Sequence, residues 1–216
     1  MASPPSSPDN SSLTSYLDSL AAERPAPGGG SATGLAGALS AALVSMVANY
    51  TVGREKYADV EDRVRAALDE ADVLRARLMS LAGEDEAAYE AVAAARKMPR
   101  KTDTEKATRQ AEMQRATRAA ATPPLEMGAA CRRALELAGI VAEHGNHLLA
   151  SDAGVAALFS EAALRASAIN VRVNLASLDD RAVVAEMEWR LNGLLEGSAG
   201  LKEEILAIAG RRMLGQ

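Results

Sequence analysis

Asp85 interrupts an otherwise apolar seven-residue pattern. Between Tyr57 and Ala95 one set of positions holds Tyr57, Val64, Ala71, Leu78, Asp85 and Val92, and the other holds Val60, Ala67, Leu74, Leu81, Ala88 and Ala95. A carboxylate directed into a packed interior is costly to ionise, so it is paired, reaches solvent, or works as an acid or base. Solvation would follow if Gly83 reset the helix phase and left Asp85 among Glu84 and Glu86. Asn170 and Asn174 are four apart beside Ile169 and Val173, so at least one is expected to turn inward, where its amide needs partners. A further asparagine, Asn146, follows Gly145.

Gly28-Gly29-Gly30-Ser31 stands at a helix start, where free backbone N–H groups can face an anion; a tight turn is the plainer reading. Arg54, Lys56, Arg100, Lys101, Lys106 and Arg109 gather around two helix starts, and a solvated face is their ordinary role. His144 and His147 do not form an HExxH pattern and Cys131 is not placed to join them, so no metal site is expected. Nucleophile-elbow, P-loop and dinucleotide fingerprints are missing too.

These residues must be positioned by helices. Only 3% of the 216 residues are aromatic and alanine is abundant, which favours an all-α fold. A first helix is expected from Ser12 to about Glu23, with Leu13, Leu17 and Leu20 on one face, stopping before Pro25. Ser31 to Val52 contains no charge, which suits a membrane span or the buried centre of a helical bundle. Its dilution by glycine, serine and alanine, and the amphipathic helices that follow, favour the buried helix. The stripe from Tyr57 to Ala95 is one long helix or two collinear ones meeting near Gly83. Thr102 and Glu105 form a capping box for a helix to about Ala121. Thr122 is expected to cap the next, with Pro123 and Pro124 in its first turn and Gly145 at its end. Ser151 is expected to cap a helix carrying Asp152 and running to about Asn174. A last stretch begins at Asp180 and breaks near Gly197 to Gly200.

The net charge of −5 argues against general nucleic-acid binding, and the single Cys131 suits a reducing, cytoplasmic setting. Residues 1–11 read as a disordered, Ser/Pro-rich tail and 12–216 as a single helical domain.

Several strings in order carry a family resemblance: Pro25-Ala26-Pro27-Gly28-Gly29-Gly30-Ser31, Met46-Val47-Ala48-Asn49, Gly53-Arg54-Glu55-Lys56-Tyr57, Asp85-Glu86-Ala87-Ala88-Tyr89, Gly145-Asn146 and Ser151-Asp152-Ala153-Gly154. Together they resemble the cyclodeaminase/cyclohydrolase family, from about Leu13 onward. The resemblance implies a multihelical homodimer around a buried helix, acting on a tetrahydrofolate one-carbon derivative with no cofactor, no nucleic acid and no membrane. The implied reaction is hydrolysis of 5,10-methenyltetrahydrofolate to 10-formyltetrahydrofolate. Cyclodeamination of formimidoyltetrahydrofolate is the alternative, and a non-enzymatic helical scaffold the second. Asp85, four residues before Tyr89, matches the family's acid/base pattern, with Asp152 as the next candidate. Gly28, Gly29, Gly30, Ser31, Asn49, Lys56, Lys101, Asn146, Asn170 and Asn174 are the implied substrate-binding residues.

Overall fold

The computed structural model describes residues 13–215, and among them the chain forms helices and no strand. Eight α-helices follow in order: α1 (Leu13–Ala21), α2 (Gly29–Asn49), α3 (Glu61–Arg96), α4 (Asp103–Ala120), α5 (Thr122–His144), α6 (Ala150–Leu175), α7 (Arg181–Leu195) and α8 (Ser198–Met213). Short 3-10 turns at Glu55–Val60 and His147–Leu149 lead into α3 and α6. The all-α bundle is the expected architecture. The tail expected over residues 1–11 lies outside the described residues.

Helix α2 is the centre, packed on α3, α5 and α6. Small residues make that possible. A Cβ on Gly34 would stand 2.8 Å from the Leu78 carbonyl oxygen and 2.9 Å from the Ala82 Cβ, so only glycine lets α2 approach α3 this closely. Val44, Val47 and Ala48 then pack among Val64, Leu135 and Ala156. The polar atoms of α2 are satisfied inside: Ser40 Oγ donates to the Ala156 carbonyl at 2.8 Å and shares a short hydrogen bond with Ser160 Oγ, while Thr51 Oγ1, just past the helix, donates to the Val47 carbonyl at 2.7 Å. By length and composition α2 could cross a membrane, yet most of it is buried in the bundle. It starts at Gly29 and ends at Asn49, so the expected limits Ser31 and Val52 are displaced and Val52 belongs to the following turn. Burial is also incomplete. Ala32, Leu35, Leu39, Ala42, Met46 and Asn49, alternately three and four apart, form a stripe that no helix covers fully, with Leu39 46% exposed.

Helix α3 is one continuous 36-residue helix, settling the choice between one helix and two. Gly83 lies within it, exposed and facing open space, so the phase is not reset. Val64, Ala67, Ala71, Leu78, Leu81, Val92 and Ala95 are buried on the expected stripe. Tyr57 and Val60 belong to the preceding 3-10 turn rather than to the helix.

The capping box is present: Glu105 N–H donates to Thr102 Oγ1 at 3.2 Å and Thr102 N–H donates to Glu105 Oε2 at 2.9 Å. Two other expected caps are corrected. Thr122 is the first residue of α5 and caps nothing, because Ala121 keeps helical geometry between α4 and α5 and leaves no extended residue for a cap. Ser151 lies inside α6; the 3-10 turn winds straight into that helix, and Asn146 takes the capping role by accepting from Leu148 N–H at 3.1 Å. Helix α1 ends at Ala21 rather than Glu23, and it buries no residue, leaving Leu13 and Leu17 exposed. The late break falls at Glu196 and Gly197, where Gly197 takes a φ of +68°, and Gly200 is helical.

Candidate active site

Three elements meet around Asp85: its own helix α3, the glycine turn that opens α2, and the C-terminal half of α6. They wall a cleft enclosing about 240 Å³, lined among others by Gly28, Gly29, Gly30, Asp85, Asn170 and Asn174. Six residues singled out in the sequence therefore come together. Tyr89, one turn after Asp85 on α3, lines the same cleft, as do Glu86, Arg96 and Val173.

Asp85 is half-buried and makes no hydrogen bond or ion pair to any other described residue. Burial, and secondarily the Glu86 carboxylate beside it, raises its pKa above the ordinary aspartate value. Such a carboxyl group is more basic when ionised than a solvated one, which suits proton transfer. Gly30 stands directly against it, so that any Cβ there would overlap the Asp85 carboxyl carbon and both oxygens.

The asparagines are held by their donor ends. Asn170 Nδ2 donates to Thr33 Oγ1 at 3.3 Å and to the Ala166 carbonyl at 3.1 Å; Asn174 Nδ2 donates to the Ala120 carbonyl at 2.9 Å and to the Asn170 carbonyl at 3.2 Å. Neither Oδ1 atom accepts a hydrogen bond from another described residue. The cleft thus presents a carboxylate and two fixed amide acceptors, an arrangement that fits a cationic or donor-rich ring. Arg96 is the one cation among the lining residues. It escaped sequence reasoning because it directly follows Ala95, the last residue of the apolar stripe, and reads as an ordinary helix-end cation, and Glu86 escaped as an ordinary solvated charge.

The other sequence candidates lie elsewhere. Ser31 is buried behind the glycine turn and accepts from Tyr16 Oη at 3.2 Å. Lys101 is exposed in the loop before α4, where its backbone N–H donates to Glu105 Oε2 at 2.7 Å. Asn49 is exposed at the far end of α2, and the 21 residues of that helix place it roughly 30 Å from Gly29 at the standard rise per residue. Beyond it, Tyr57 Oη donates to Asn146 Oδ1 at 3.2 Å, and His147 Nδ1 lies 3.2 Å from that hydroxyl and 3.4 Å from Lys56 Nζ. Asn146 N–H donates to Thr51 Oγ1 at 2.8 Å, tying the group to the end of α2. Asp152 sits in the first turn of α6 at this same end. His144 is engaged by Arg63 at 2.7 Å, and no group of three metal-ligating side chains forms among the described residues.

The formiminotransferase-cyclodeaminase family profile matches residues 12–193. Among curated proteins, the methenyltetrahydrofolate cyclohydrolase of Methylorubrum extorquens is 44% identical over 91% of this chain and 94% of its own length. The formimidoyltransferase-cyclodeaminase of Rattus norvegicus is 30% identical over 89% of this chain, which spans 36% of that longer protein. The crystal structure of formiminotetrahydrofolate cyclodeaminase from Thermotoga maritima superposes with a TM-score of 0.80 at 28% identity, covering 96% of this chain and 98% of that one. The match along nearly the whole described chain, in sequence and in helical arrangement, places this protein in the formiminotransferase-cyclodeaminase family.

Proposed function

We propose that the protein is a methenyltetrahydrofolate cyclohydrolase, converting 5,10-methenyltetrahydrofolate to 10-formyltetrahydrofolate. The observation that carries this reading is the unpaired Asp85 carboxylate in the cleft, in a chain 44% identical to a curated cyclohydrolase along nearly its full length. The methenyl substrate carries an amidinium cation, which the carboxylate attracts. Water adds to the bridging carbon while Asp85 takes one of its protons. The bond from that carbon to N5 then breaks, Asp85 returns the proton to N5, and the remaining hydroxyl proton leaves as the formyl carbonyl forms. Positioned proton transfer of this kind contributes about 10²–10⁴-fold in rate. The free Oδ1 atoms of Asn170 and Asn174 are suited to the amino and N–H donors of the pterin edge.

The enzyme is read as cytoplasmic and homodimeric. What supports the homodimer is exposed apolar side chains on two helices of the bundle, Leu39 on α2 and Val155, Leu158, Phe159, Ile169 and Val173 on α6.

Loss of methenyltetrahydrofolate absorbance in the presence of the purified protein tests the reaction, run beside ammonia release from formimidoyltetrahydrofolate. Ammonia release alone would assign the cyclodeaminase reaction instead. Absence of both activities, with no folate binding by calorimetry, would leave a helical scaffold.

A further inference from the structure

We propose that Thr33 is a positioning residue for the reaction. Its buried hydroxyl fixes which end of the Asn170 amide faces the cleft, and so makes the α6 wall accept hydrogen bonds from the substrate rather than donate them. The inference rests on the folate reading above and deepens it.

Thr33 stands one turn into α2, is 3% exposed, and is not among the residues that line the cleft. A hydroxyl has one proton to give. Thr33 Oγ1 gives it to the Gly29 carbonyl at 2.7 Å, which leaves only lone pairs for Asn170 at 3.3 Å. Those lone pairs take the Nδ2 end of the amide and repel the Oδ1 end. Nδ2 also donates to the Ala166 carbonyl at 3.1 Å, so both hydrogens of the amide are spent on the protein. Oδ1 is left on the side of the glycine turn, 3.6 Å from where a Cβ on Gly29 would stand. One hydroxyl therefore ties the turn that abuts Asp85 to the amide on α6.

Asn174 is turned in the same way by a different acceptor. Its Nδ2 donates to the Ala120 carbonyl at 2.9 Å and to the Asn170 carbonyl at 3.2 Å. Ala120 is open to it because the residues three and four further on, Pro123 and Pro124, have no N–H and cannot close a helical bond to that carbonyl. Two amides one turn apart on α6 thus spend their donors on the protein and keep their oxygens for the cleft. A ring edge carrying N–H donors satisfies both oxygens, whereas an edge carrying only acceptors is repelled by them. Thr33 acts through Asn170 on binding, not on the proton transfer.

Thr33→Val keeps the shape and removes the hydroxyl, while Thr33→Ser keeps the hydroxyl. In steady-state kinetics Thr33→Val should raise KM for methenyltetrahydrofolate about three- to tenfold, the worth of one hydrogen bond, and leave kcat within about twofold. Thr33→Ser should keep the wild-type KM, and Thr33→Ala should repeat the Thr33→Val result. In an Asn170→Ala chain, whose KM is already raised, adding Thr33→Val should change KM no further. Wild-type KM in Thr33→Val, or an equal rise with and without Asn170, would overturn the proposal. Solvent exchange of the isotope-labelled Asn170 side-chain amide, identified by its loss in Asn170→Ala, reads the same contact without folate. It should quicken about tenfold in Thr33→Val and stay near wild type in Thr33→Ser. Unchanged exchange in Thr33→Val would equally overturn the proposal. If wild-type protein is inert on folate while exchange follows this pattern, the reaction assignment fails and the orienting role of Thr33 stands.

Discussion

Replacing Gly30 with alanine should silence the enzyme while leaving it folded. The added methyl would overlap the Asp85 carboxyl group, whose backbone is fixed in the middle of α3. The side chain can escape only by changing rotamer, and a 120° step in χ1 carries the carboxyl carbon roughly 2.5 Å. A misplacement of about 1 Å already costs about 10² in rate, so turnover should fall at least that far, towards the loss of about 10²–10⁴ expected for removing the base itself. Stability moves little because the cleft side is open: alanine adds up to about 1 kcal/mol of helix propensity at the start of α2, set against strain that rotation relieves. The assay is methenyltetrahydrofolate hydrolysis together with thermal unfolding, using Gly83→Ala as the control. Gly83 faces open space on α3, so its alanine variant should keep wild-type turnover and gain about 1 kcal/mol. The Gly30→Ala/Asp85→Asn double variant should be no slower than Asp85→Asn alone, since both act on one group. Full turnover in Gly30→Ala would refute the placement of Asp85 as the reacting carboxylate.

Asp85→Asn should unfold at higher urea than wild type at neutral pH, despite its lost activity. The folded-state pKa of Asp85 is raised, so its ionisation weakens the fold as pH climbs from the unfolded to the folded pKa, and the penalty is full above both. The stabilising difference should accordingly shrink to a constant residue when unfolding is repeated below the ordinary aspartate pKa. Gly34→Ala should cost about 1–3 kcal/mol, read by denaturant unfolding, because its Cβ would press on the Leu78 carbonyl in the α2–α3 contact. Asn174→Leu should raise KM for methenyltetrahydrofolate more than it lowers kcat, in steady-state kinetics, since it removes a binding acceptor remote from the reacting carbon.

The long-range order of the fold was legible because the apolar spacing of α3 and the uncharged run of α2 are strong periodic signals. Asp85 stood out for the same reason, as the one charge on a buried stripe. The failures were local. Thr122 and Ser151 have the side chains of caps, but capping depends on whether the preceding backbone is extended, and Ala121 and the His147–Leu149 turn keep it wound. Gly30 was visible as part of a glycine string, though its contact with a residue 55 positions later was not, because nothing in either segment encodes the crossing of α2 over α3. Asn49, Lys56, Asn146 and Asp152 were grouped with Asp85 by a family likeness that carries no distances, and the structure sets them at the other end of α2.

Because α3 runs unbroken from Glu61 to Arg96, it acts as a ruler between the Lys56 turn before its start and the Asp85 carboxylate farther along it. Substitution along it changes a contact, whereas deletion of one residue before Asp85 turns the carboxylate about 100° around the axis and draws it about 1.5 Å nearer the start. A four-residue insertion would nearly restore the angle but lengthen the ruler by about 6 Å. Between Glu61 and Asp85 the chain should therefore tolerate exchange of residues far better than any change in their number.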